Sequence, residues 1–384
     1  MKDVRWVEWM SAALLATVWA AGPAAAQEPP AGDEAQAEPG EDRVQVTEVT
    51  SARSRDDAPE DVSELDLEGL LDTRIDRLTA PGIGHTHRKG EVMIGYRLGF
   101  MMMGRNLDGT KQVEPEQIVR EDGTYGFMAA PKRMRMKMHM LRLMYAPHVR
   151  ITIMGMVPYV QMSMSHVTRS GAEFATEADG LGDVRLAGLI SLLGTGQHRL
   201  HVTAGASFPT GSFNERGDIP MMPNARLPYP MQIGSGTFDL RPAVTYRGIA
   251  GQVSWGGLVG GVVRLGENDN GYRRGNRLRA AFWGSVEFVE WFSLFVLAEG
   301  HRFGDVQGAD PVLDPNMVPT ADPDRQGGTR VDGSVIVALD GTERLEGLRV
   351  EAALGAPMYQ RLDGPQLAVD FFGSLSIRHV FGAY

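Results

Sequence analysis

The chain contains no cysteine. That excludes disulfides and every thiolate-ligated metal centre. No stretch offers 18 uninterrupted apolar residues, so a helical membrane domain is not expected. Positive charge is not in excess either. Lys and Arg number 38 against 48 Asp and Glu, for a net charge of −10. That sign argues against a nucleic-acid partner. Nucleophile signatures are missing as well: there is no Gly-x-Ser-x-Gly and no His-x-Ser arrangement. The chain is not expected to be an enzyme.

What is present is 47 Gly, 22 Pro and 21 Met in 384 residues. The start reads as a signal peptide over residues 1–26. Lys2 and Arg5 open it, an apolar run covers Ser11–Ala20, and small residues lead to Gln27. Residues 27–60 are rich in Ala, Pro, Glu, Asp and Gln and lack aromatics. They read as a disordered acidic leader, in the periplasm. Within residues 61–90, Leu65, Leu67, Leu70, Leu71 and Ile75 can line one side of a short helix, with Ser63 as N-cap.

From residue 91 to 384 the pattern changes to a period of two, the spacing of a strand with two unlike faces. About twelve such segments follow one another. They begin with Val92, Ile94, Tyr96, Leu98 and Phe100, and end with Leu367, Val369, Phe371, Leu375 and Ile377. Each is near the length that spans a bilayer when tilted. Long polar connections, such as residues 104–132 and 209–235, alternate with short ones, such as residues 146–148 and 248–251. Outer-membrane barrels have that asymmetry and a soluble sandwich has no need of it. The expected fold is therefore all-β: a transmembrane, antiparallel, up-and-down β-barrel of about 12 strands in the cell outer membrane. Its environment would be outer-membrane lipid and lipopolysaccharide, after insertion by the outer-membrane assembly machinery. The terminal aromatics Phe381 and Tyr384 fit that route.

The stretch RMRMKMHMLRLMY, residues 133–145, shows the period most clearly. Taking apolar as lipid-facing sends Met134, Met136, Met138 and Met140 to lipid. Arg133, Arg135, Lys137 and His139 are then sent into the lumen. The same parity assigns Arg185, Arg199, His201, Arg241, Arg247, Arg277, Arg279, Glu299, His301 and Arg330 to a wet, basic lumen. An Arg or Lys at mid-depth in lipid would cost about 2–4 kcal/mol. The histidines are read as members of hydrogen-bond networks there, not as general bases.

Several stretches resemble a known family. GLGDVRLAGL (residues 180–189), SFPTGS (207–212), LPYPMQIGSGTFDLRPAVTY (227–246) and LGENDNGYR (265–273) look like the outer-membrane transporter family labelled MetA-pathway of phenol degradation. The resemblance implies a β-barrel that passes a small solute. An aromatic or anionic solute is expected, and no cofactor. Two alternatives remain. One is a copper-handling protein, with Met154, Met156, Met162 and Met164 pointing inward and His85 and His87 adding imidazoles, because thioethers suit Cu(I). The other is a structural barrel with a plugged lumen.

Overall fold

A computed structural model describes residues 85–194, 197–220 and 222–382. The expected signal peptide, leader and helix, together with Met221 and Tyr384, lie outside the described residues. Alternation of apolar and polar side chains builds eleven barrel strands. They are β1 (Val92–Gly109), β2 (Ala129–His148), β3 (Ile151–Thr168), β4 (Arg185–Gly194), β5 (His198–Ser207), β6 (Ala243–Ala250), β7 (Val253–Leu265), β8 (Arg277–Val289), β9 (Phe292–Phe303), β10 (Gly328–Asp340) and β11 (Leu348–Phe381). Each pairs antiparallel with the next, β11 pairs with β1, and the barrel closes without a free edge.

β11 is 34 residues long because it is a hairpin. Its first limb pairs with β10 up to Leu362, and its second pairs with β1 from Gln366 onward. The limbs also meet each other. The amide of Val380 donates to the Gly347 carbonyl, and the Gln360 amide group bridges the backbone of Val369. Ten strands and two limbs make twelve passes across the wall.

Short turns at residues 149–150, 251–252 and 290–291 lie at one end, the turn end. Gly251 adopts φ +55° there, a left-handed conformation in which a Cβ is strained. Longer connections gather at the other end, the loop end: 110–128, 169–184, 208–242, 266–276 and 304–327. One connection departs from the expected alternation. Residues 363–365 form a tight turn at the loop end, between the limbs of β11. The loops interlock. Arg226 and Asp310 form a buried ion pair at 3.1 Å, and Tyr229 packs edge-on against Tyr272. The outer wall is apolar and aromatic, with Ile94, Leu141, Leu143, Tyr145, Leu186, Phe282, Val296, Leu354 and Ile377 all exposed. Trp291, Phe292 and Phe288 cluster at the turn end, as interfacial aromatics do.

Candidate functional site: a two-walled lumen

The lumen divides into two halves. At the loop end it opens into a cavity of about 850 Å³. On β1, β2 and β3 its wall is methionine. Met103, Met134 and Met164 lie side by side across the three strands, and Met101, Met136 and Met162 form the next row. Met138 continues the wall, and Leu227, Met231 and Ile233 of the 208–242 connection fold down onto it. Across the cavity, β7, β8 and their connection supply Arg264, Arg274, Arg277 and Arg279. β8 is six passes from β2 in either direction around the ring. A thioether wall therefore faces a guanidinium wall.

The cavity is basic although the chain is acidic. Eight arginines (185, 241, 264, 274, 277, 279, 302 and 330) line it against four carboxylates (Asp183, Asp239, Glu299 and Asp332), an excess of four. Arg264 pairs with Asp239, Arg279 with Glu299, and Arg330 with Asp332, where His301 also reaches a carboxylate oxygen at 3.3 Å. Arg185, Arg241 and Arg277 have no ion pair among the described residues. Arg185 instead points a guanidinium NH at the Met156 sulfur, 3.8 Å away.

The turn half is packed. Arg349, 2% exposed, donates to Glu351 at 2.7 Å and to Asp340 at 3.1 Å, and lies over the Phe295 ring. Ser376 donates to Glu351. Trp283, Phe295, Leu297 and Ile336 fill the side formed by β8–β10. The segment before β1 enters here. The His87 amide donates to Thr152 Oγ1, the His87 ring meets Glu91 at 3.2 Å, and Arg378 donates to His85 Nε2 at 3.0 Å. Burial, then Arg378 and the other nearby cations, holds the His85 pKa well below 6.5. A guanidinium can only donate, so Nε2 must be the unprotonated nitrogen.

Seven of the expected lumen residues line the open cavity: Arg185, Arg241, Arg277, Arg279, Glu299, His301 and Arg330. Arg199, His201 and Arg247 lie in the turn half, where Arg199 pairs in register with Arg247 and His201 with Thr245. Four expectations are overturned. Arg133, Arg135, Lys137 and His139 face the outside of the barrel, and Met134–Met140 face the lumen. The phase of β2 is set by Leu141, Leu143 and Tyr145, which are exposed on the same parity as the cations. Arg142 was the overlooked signal. It shares the parity of the methionines and sits in the membrane-spanning part of the strand, where a guanidinium belongs inside. His139 tolerates its outward place because the Tyr96 hydroxyl meets its Nδ1 at 2.6 Å.

The methionines proposed as metal ligands do face inward, but they do not form one group. Met162 and Met164 belong to the cavity wall. Met154 packs with Met93, Met144 and Leu189 in the turn half. Eight residues of strand, about 26 Å, separate Met154 from Met162. His87 is tied to Thr152, two residues before Met154 on β3, and the His85 and His87 rings are hydrogen-bonded to Arg378 and Glu91.

A closed antiparallel wall, apolar outside and polar within, defines an outer-membrane type of β-barrel. The chain belongs to the family described as MetA-pathway of phenol degradation, which matches residues 139–350, more than half its length. Among solved structures, the COG4313 outer membrane channel from Pseudomonas putida F1 is similar over 79% of this chain and 100% of that one. The TM-score is 0.56 at 14% identity, a likeness of fold. The transport unit of the autotransporter AIDA-I from Escherichia coli matches 82% of this chain and 98% of its own. Its TM-score of 0.44 and identity of 13% add nothing further. No curated protein matches the chain.

Proposed function

We propose that this barrel is an outer-membrane channel, without catalytic activity, for small amphipathic organic anions. The observation that carries the reading is the opposition of two walls. Methionine side chains are flexible and polarizable, and present an adaptable apolar surface to aliphatic or aromatic groups. Guanidinium groups accept a carboxylate in a bidentate geometry. A solute with an apolar body and a single anionic group would use both walls at once. Arg185, Arg241 and Arg277 are its first contacts, because no carboxylate among the described residues lies within ion-pair distance of them. The family and the channel-like fold support passage of a small solute. Short turns at the N- and C-terminal end support the usual orientation, loops outward and turns toward the periplasm.

The test is conductance and reversal potential of the purified protein in planar bilayers. Anion selectivity is expected, and R185Q/R241Q/R277Q should lower it several-fold. Cation selectivity of the wild type would overturn the reading. Absence of both conductance and solute flux would favour a plugged structural barrel, which the packing of the turn half makes a real competitor.

One arrangement favours a second reading. Two adjacent rows of three methionines place six thioethers within reach of a soft cation. Titration with Cu(I) or Ag(I), before and after Met134, Met136, Met162 and Met164 are changed to Leu, decides it. Unchanged binding removes the copper reading.

A further inference from the structure

The outward cations of β2 climb the wall to the outer edge of the hydrocarbon. From Tyr145, at the turn-end aromatic level, to Lys137 is eight residues. That is about 26 Å along the strand and about 20 Å of height at the usual tilt. The apolar band of such barrels is about 25 Å tall. On that scale Lys137 rides about 5 Å below the outer edge of the band, close enough for its long side chain to reach the headgroups, Arg135 stands at the edge and Arg133 above it. Tyr96, His139 and Tyr159 sit just below, ring against ring. This is the order of an interface: aromatic girdle first, then charge.

The three cations form half of a grid. Across the ladder, Arg133 faces Ser165, Arg135 faces Ser163, and Lys137 faces Gln161. Each row joins one cation to one side chain that can donate a hydrogen bond, all on the exposed face. None of the three cations forms an ion pair among the described residues. Three of the surrounding acids are engaged elsewhere. Glu173 takes Lys132, Asp370 takes Arg105, and Asp179 accepts the Tyr159 hydroxyl. Glu177 stands one strand beyond Ser163, and Glu114 and Glu116 stand across a groove of about 620 Å³ that Arg133 and Arg135 also line.

We propose that Arg133, Arg135 and Lys137, with Ser163, Ser165 and Gln161, bind the phosphates of the outer-leaflet glycolipid, the lipid A part of lipopolysaccharide. The proposal rests on the outer-membrane reading but not on the solute. The leaflet at this height is anionic, and phosphate is the group for which a row of two guanidinium groups and an ammonium group is complementary. At the headgroup level, partly shielded from water by the wall and the neighbouring lipids, such contacts are stronger than on a soluble surface.

The experiment measures binding of bisphosphorylated lipid A to the full chain, purified free of lipopolysaccharide. R133Q/R135Q/K137Q is compared with wild type. The comparison ligands are dephosphorylated lipid A and inorganic phosphate. Binding at least tenfold tighter in wild type, weakened by salt and lost with dephosphorylated lipid, is expected. Equal binding by the triple variant overturns the proposal. So does equal binding of the dephosphorylated lipid, or displacement by low-millimolar inorganic phosphate, which would mark a general anion site. R133K/R135K keeps the charge and should retain most of the affinity, a check if the triple variant folds poorly. Channel selectivity of the triple variant should equal wild type, because these groups lie outside the lumen. A fall in selectivity would overturn the placement. Loss of the channel reading alone would leave the lipid result standing.

Discussion

The two halves of the lumen use the same residue types to opposite ends. In the turn half, Arg349 is buried, paired with Asp340 and Glu351 and laid over the Phe295 ring. In the loop half, Arg185, Arg241 and Arg277 border open space and carry no ion pair among the described residues. The first arrangement satisfies charge internally and joins β10 to β11. The second leaves charge for something that arrives from outside. A buried pair broken on one side strands a desolvated partner, whereas a cavity cation removed leaves only water behind. The difference separates residues that hold the barrel together from residues that meet a solute.

The largest expected effect tests the paired side. Arg349→Leu strips the buried Asp340 of its cation and leaves Glu351 with Arg97 and Ser376, and should cost about 3–5 kcal/mol. It reads out as a lower midpoint in heat-modifiable electrophoretic mobility. Arg277→Leu, in the cavity, should move that midpoint little. Equal destabilisation by both would erase the distinction between the halves.

Packing gives the next effect. A Cβ on Gly256 would run into the Trp283 ring. Gly256→Ala should cost about 1–3 kcal/mol through overpacking, in the same assay. A neutral result would mean that the turn half is loosely filled.

The open side is tested by transport. Arg277→Gln should reduce anion-over-cation permeability a few-fold without lowering the unfolding midpoint. No change in reversal potential would remove Arg277 from the solute path.

The smallest effect concerns the segment ahead of β1. Its His85 accepts from Arg378 and has a lowered pKa, so the folded protein favours the neutral ring. The contribution is fully present above pH 6.5, the ordinary value, and is lost as pH falls toward the lowered pKa. Protection factors for hydrogen exchange at residues 85–91, corrected for the intrinsic pH dependence of exchange, should fall below pH 6.5, and His85→Phe should flatten that fall. Protection that does not change with pH would show that the imidazole does not hold the segment.

The stretch at residues 133–145 shows how far parity can be read. Its period of two is plain, and so is its division into two faces. Which face is inside depends on where the bilayer lies along the strand. β2 runs 20 residues, about twice what the membrane needs. Its upper half stands above the lipid, where apolar no longer means lipid-facing. The methionines could turn inward because loop residues Leu227, Met231 and Ile233 cover them. For the shorter β8 and β9, most of the strand is in the membrane. There the expectation for Arg277, Arg279, Glu299 and His301 agrees with the structure. β11 misled in a different way. Two alternating runs were visible, but the tight turn at 363–365 was not expected in a series of long outer connections.

The sequence alone determined the strand period, the number of passes, the asymmetry of most connections and the family. These are local or additive properties, set by which side chains alternate and where chain-breaking residues fall. Tertiary structure decided the phase of β2, the split of the inward methionines into two separate patches, and the meeting of a thioether wall with a guanidinium wall. Those depend on how high each residue rides on a tilted strand and which strand lies across the ring, and both are fixed only when the barrel closes.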